Sequence, residues 1–255
     1  LYVAHILSRY QLPASQIERG WIQTNGLAVI DAASKKLVTS VLLDDINLGA
    51  ANPWGVACTR DGKFILIAHA GTHELSIIDR QALHGKISQV SDVSGPPAEV
   101  VNDLAFLTGI RRRVPLQGNG PRGIVLAGGK AYAAEYFTGS LGLVDLAGEY
   151  PESRSVKLGD DPPLTAARRG EMLFHDAQNC LEKWLSCSSC HPSEGRPDGL
   201  NWDLMLDGVG NQKNTKSLLY SHRTPPTTIT GTRPNAEASV RAGFRFIEFA
   251  QRPEE

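Results

Sequence analysis

Neither sign of charge dominates this sequence: 26 Lys and Arg stand against 27 Asp and Glu in 255 residues. That balance excludes nucleic acid or an anionic membrane as the main partner, because both select strongly basic surfaces. Long apolar runs are absent too. No stretch reaches the roughly 18 residues a helix needs to cross a bilayer, so no membrane span is expected. Cysteine is scarce, and its four copies are not spread as a disulfide framework would be. Cys180, Cys187 and Cys190 fall within eleven residues, with Cys58 far away. The chain has no initiator Met and no signal peptide, and it opens on Leu1-Tyr2-Val3-Ala4 as if in mid-strand. A processed chain, or a piece of a longer protein, is expected.

What is present divides into two textures. Residues 1–149 alternate short β runs with turns, and three stretches read as copies of one unit. The fullest copy runs Asn52-Pro53-Trp54-Gly55-Val56-Ala57, a turn at Arg60-Asp61-Gly62-Lys63, Phe64 to Ala68, then Glu74 to Asp79. The third repeats it as Pro121 to Leu126, Gly128-Gly129-Lys130, Ala131 to Ala134, then Leu141 to Asp145. The first copy keeps only Leu1 to Ala4 and Gly26 to Asp31, with a loop of about 16 extra residues around Pro13 to Arg19. Asp-Gly and Gly-Gly between apolar runs are hairpin signals. A helix is expected over Ala98 to Leu107, and Arg111-Arg112-Arg113 is read as a solvated or domain-contact patch. These units resemble the YVTN-type β-propeller repeat. Three such blades cannot close a ring of four to eight, so further blades would come from outside this chain. An ordinary antiparallel sandwich is the alternative.

Residues 150–163 read as a polar linker, and 164–255 as a small, mostly α or irregular domain. Leu164 to Phe174 has the pattern of an amphipathic helix. The stretch that follows is rich in Gly, Asn, Asp, Thr and Pro, too polar to bury an ordinary core. Within it lies Cys187-Ser188-Ser189-Cys190-His191, the attachment motif of c-type haem. Two thiols add to the two porphyrin vinyl groups, and the adjacent imidazole reaches the iron as an axial ligand. Zinc is the competing reading. It wants four ligands, and enlisting Cys180 and His175 gives no familiar zinc spacing. Haem c is attached outside the cytoplasm, which predicts a periplasmic or cell-surface location. Cys180 is a buried thiol, or it pairs with Cys58 or another chain.

The remaining site residues are candidates in the same frame. Met205, His222 and His175 compete with an open position for the sixth iron site. Trp184 and Trp202 flank the motif and can pack on porphyrin or in a protein core. Arg196, Arg223 and Arg233 can pair with haem propionates, since forked guanidinium donors suit carboxylates, or be solvated.

Arg169-Gly170-Glu171-Met172-Leu173-Phe174-His175-Asp176, followed by Ser186 to His191, resembles the first haem region of the di-haem cytochrome c peroxidases and their MauG-like relatives. The likeness continues through Gly195-Arg196, Asp198-Gly199-Leu200 and Asn214 to Leu218, and covers about 165–255. It implies electron transfer with small redox proteins, peroxide reduction, and a second haem carried by a segment or partner outside this chain. Glu254 and Glu255, in Pro253-Glu254-Glu255, are the family-derived candidates for a distal carboxylate that moves a proton. The family's inter-haem Trp has no counterpart in Ile229-Thr230-Gly231-Thr232-Arg233. Three functions follow as expectations: a peroxidase-like redox protein, a pure electron carrier with a propeller for docking, and a surface binding or scaffold protein with a structural haem.

Overall fold

The computed structural model describes residues 1–94, 100–161, 163–205 and 208–250. Three antiparallel meanders follow one another along the chain. The first holds β1 (Tyr2–Ser8), β2 (Gln23–Asp31) and β3 (Lys36–Leu42). The second holds β4 (Pro53–Cys58), β5 (Phe64–His69), β6 (Glu74–Asp79) and β7 (Arg111–Pro115). The third holds β8 (Pro121–Ala127), β9 (Lys130–Glu135), β10 (Ser140–Asp145) and β11 (Ser153–Lys157). This is the strand order of propeller blades, and it bears out the repeat reading.

The blades meet along their first strands, β1 beside β4 and β4 beside β8. At Gly55 the approach is so close that a Cβ would overlap the Arg122 carbonyl oxygen. The second blade is therefore covered on both faces. Ile65, Ile67 and Ile78 join Leu27, Val29 and Val41 in one core, while Leu66, Ala68 and Ile77 join Ala131, Ala133 and Val144 in another. That is why Phe64-Ile65-Leu66-Ile67-Ala68 is continuously apolar where a half-exposed strand would alternate.

Three expectations are corrected. The helix between the second blade's third and fourth strands is α1 (Arg80–Ser94), not Ala98 to Leu107. Of that span, residues 98 and 99 lie outside the described residues, and Val100–Asn102 is a single 3-10 turn. Asp79 caps α1 by accepting from the Ala82 amide, and Leu83 and Ile87 bury its inner face. Arg111 to Arg113 is strand, and of the two readings given it the contact patch holds and the solvated one does not. Arg111 donates to the Leu43 carbonyl and pairs with Asp45, and Arg113 pairs with Asp45 and Glu74, so the run ties blade to blade. Ser153–Lys157, assigned from sequence to a linker, is the outer strand of the third blade.

Beyond Pro163 helices are few. They include α2 (Ala166–His175), α3 (Cys187–Cys190) and α4 (Ala236–Phe246), with a two-residue ladder between Asn201–Trp202 and Lys213–Asn214. Thr165 caps α2 through the Arg168 amide, and Asn235 caps α4 through the Ala238 amide.

Candidate functional site

The motif cysteines share one helical turn. Ser186 and Ser189 form a reciprocal capping box around it, and the His191 amide closes the turn on the Cys187 carbonyl. All four cysteines are free thiols, so no bridge joins Cys58 to Cys180, and Cys180 is buried. Among the described residues no three His, Cys, Asp or Glu side chains converge on one point.

Each thiol has a polar neighbour from a distant part of the chain. Cys187 Sγ donates to Glu248 Oε1 at 3.2 Å, and Gln23 Nε2 in β2 donates to Cys190 Sγ at 3.5 Å. Burial pushes the Cys187 thiol well above its ordinary range, with the Glu248 charge adding to the effect. Cys190 is pushed up to about 11 by burial, against the Gln23 hydrogen bond. His191 is half-buried and lowered by burial, and its Nδ1 is enclosed without a hydrogen-bond partner. Glu248 is 2% exposed and its second oxygen has no partner. Burial raises its carboxyl to about 7, with Cys187 pulling the other way and Asp176 adding to the rise.

The turn is seated on the propeller. Asn52 Nδ2 donates to Ser186 Oγ at 2.7 Å, Ser188 Oγ at 3.2 Å and the His175 carbonyl at 3.3 Å, and Ser189 Oγ donates to Asn52 Oδ1 at 2.7 Å. Behind it, Asn25 Oδ1 accepts the Asn52 amide, and Asn25 Nδ2 reaches Asp44 and the Trp184 carbonyl. Gly49 donates to the Glu182 carbonyl, and Ala177 to that of Gly71.

The other candidates fall in different places. Trp184 and Trp202 are buried with Ala14, Ile22, Cys180 and Leu185, so both serve a protein core. Trp202 Nε1 donates to Asp198, while Trp184 Nε1 has no partner. His175 is buried at the end of α2 beside Phe137 and Phe174. His222 is exposed and accepts from Arg223 Nε at 3.3 Å, and Met205 is exposed on left-handed backbone. Arg196 and Arg223 are exposed and Arg233 is half-buried. Glu254 and Glu255 lie outside the described residues. Asn52, Gln23 and Glu248 escape a reading of the sequence, being 135, 164 and 61 positions from Cys187.

The same region shows unusual apolar exposure. Val209, Leu219, Tyr220, Ile229, Val240 and Phe246 are all exposed, and α4 is amphipathic yet buries no residue.

No protein-family model matches the chain. It is similar to hydrazine synthase subunit beta of Kuenenia stuttgartiensis, 29% identical over 148 residues, which is 57% of this chain and 38% of that subunit. A second similarity is to hydrazine synthase subunit gamma of the same organism, 37% identical over 75 residues, 29% of this chain and 21% of the subunit. Among solved structures, Kuenenia stuttgartiensis hydrazine synthase superposes with a TM-score of 0.50 at 30% identity, covering 57% of this chain and 42% of the matched one. The chain therefore spans well under half the length of each of these relatives.

Proposed function

We propose that this chain is an extracytoplasmic c-type haem redox protein that works as part of a multi-subunit assembly. The observation that carries the reading is the Cys187–Cys190 turn, with both thiols free and His191 next in line. In it Cys187 and Cys190 would hold haem c covalently and His191 would ligate its iron. Bound there, haem c supplies one-electron redox chemistry. Glu248 stands beside the Cys187 attachment point and keeps a carboxyl in a water-poor position where it can hold a proton. Gln23 supports the second sulfur. Arg196, Arg223 and Arg233 are the donors available to propionates, and His222 and Met205 the candidate sixth ligands. Trp184 and Trp202 support the turn from the protein side.

Two subunits of one enzyme, beta and gamma, each resemble this chain. That favours a role beside partner subunits in a hydrazine-synthase-like complex over a free peroxidase, and the second haem that the peroxidase likeness implies would lie outside this chain. A small redox protein would serve as electron donor or acceptor. The test is the optical spectrum of the purified protein, oxidised and reduced, with its pyridine haemochrome and a peroxide titration. A c-type haemochrome at one haem per chain is expected. Its absence would overturn the reading. High-spin ferric haem that reacts with peroxide would favour peroxidase chemistry, and low-spin inert haem an electron carrier with His222 or Met205 as sixth ligand.

A further inference from the structure

We propose that Asn52, in the second propeller blade, is the positioning residue of the attachment turn, which makes the propeller part of the haem site instead of a separate docking module. The proposal rests on the haem reading above.

Asn52 is 5% exposed and sits where the second blade begins, with its backbone in the left-handed region at φ 56°. The equivalent position of the third blade, before Pro121, is Gly120, also left-handed at φ 67°. The repeat thus demands a left-handed residue here, and glycine meets that demand without steric cost. Asparagine tolerates the same conformation while adding a side chain. In the second blade that side chain is fully engaged. Its Nδ2 serves Ser186, Ser188 and the His175 carbonyl, and its Oδ1 takes the Ser189 hydroxyl. Three of these partners lie within or next to the four-residue turn that carries both cysteines.

One amide therefore spans the last residue of α2, the N-cap of the turn and both serines between the cysteines. The geometry is two-sided, donor and acceptor both used, so it fixes rotation of the turn as well as its position. A short turn of four residues has little rigidity of its own, because helix nucleation is costly and its hydrogen bonds are few. Held by Asn52, the turn keeps the porphyrin edge packed against protein. Released, it admits water to that edge. Water favours the ferric haem, which carries one more positive charge, and solvent exposure is among the determinants of haem and cluster potential. The expected consequence is a lowered reduction potential.

The clean variant is Asn52→Gly, which deletes the side chain while leaving a residue suited to left-handed backbone. Val41→Ala is the control: it opens a cavity in the buried core between the first two blades without touching the turn. All three full-length proteins are purified with haem, quantified by pyridine haemochrome, and titrated redox-optically. Asn52→Gly should lower the midpoint so that the ratio of oxidised to reduced haem at fixed potential rises about tenfold, which is 59 mV for one electron. Val41→Ala should leave the midpoint in place. An unchanged midpoint and spectrum in Asn52→Gly, or an equal shift in Val41→Ala, overturns the proposal. If Asn52→Gly does not fold, Ser189→Ala removes the hydroxyl that donates to Oδ1, and a downward shift is again required. Absence of haem from the wild-type protein would instead defeat the underlying haem reading.

Discussion

At the scale of single residues, Cys187-Ser188-Ser189-Cys190-His191 stands out in the sequence because the chemistry it suggests is local. Thiol, thiol and imidazole must sit within five positions to reach one porphyrin edge and its iron. The groups around it do not, since Gln23, Asn52 and Glu248 are brought in by blade and helix packing that no local spacing encodes. The Asn52 position still carried a trace, an asparagine where the companion repeat has glycine. Another buried pair lies behind it. Asp44 accepts the Ala50 amide at 2.7 Å, and His69 Nδ1 donates to the Ala50 carbonyl at 2.9 Å, while Ser76 donates to His69 Nε2. Burial raises Asp44 to about 6 and lowers His69 to about 4. Their effects on stability oppose each other. Between about pH 4 and 6 the folded state holds a proton on Asp44 that the unfolded chain releases, so that contribution is lost as pH rises. His69 is charged only in the unfolded chain over about pH 4 to 6.5, so its contribution is present above that window and lost as pH falls. Each is worth up to about 3 kcal/mol, at 1.36 kcal/mol per pKa unit. Urea unfolding of Asp44→Asn from pH 4 to 6.5 should show stability climbing with pH relative to wild type, and His69→Gln the reverse. Parallel profiles would show that the pair does not titrate as described.

At the scale of elements, the strands that repeat were readable and the pieces that vary were not. The fourth strands of the second and third blades are Arg111-Arg112-Arg113-Val114-Pro115 and Ser153-Arg154-Ser155-Val156-Lys157, too polar to read as strand. They are strands because the neighbouring β6 and β10 offer free ladder edges, a tertiary cause. Helix α1 did leave a signal, Asp79 as cap and Leu83, Ile87 and Val90 on one face, and it was placed too far downstream. The repeat also sets a paired test. Gly55 and Gly123 occupy the same position in successive copies. A Cβ at Gly55 would overlap the Arg122 carbonyl oxygen, whereas at Gly123 nothing lies within 4 Å. Gly55→Ala should therefore cost about 1–3 kcal/mol, as overpacking does, while Gly123→Ala stays near neutral. Equal urea midpoints for the two variants would remove the close approach of β4 to β8 from the account of how the blades pack.

At the scale of the whole molecule, the sequence divides into two textures that the fold joins. Ala14 and Ile22 from the long first-blade loop are buried with Cys180, Trp184, Leu185 and Trp202 from the cysteine segment. Trp184 is 2% exposed and lies against Gly20, where any Cβ would overlap its ring. With the Asn25 and Asn52 networks crossing the same boundary, the blades and the cysteine segment share one core and one polar seam. Shared cores unfold together, because neither side keeps its burial once the other leaves. Thermal unfolding followed by far-UV circular dichroism, which reports the sheets, and by the Soret band should give one coincident transition. Trp184→Ala removes one of the two tryptophans of that core and should cost about 3–5 kcal/mol. The cost should fall on both signals together, lowering both midpoints by the same amount. A Soret transition that moves while the sheet signal stays would mean two independently stable units, with Trp184 belonging to the haem segment alone. Coincident shifts would instead establish that the blades and the cysteine segment unfold as one cooperative unit.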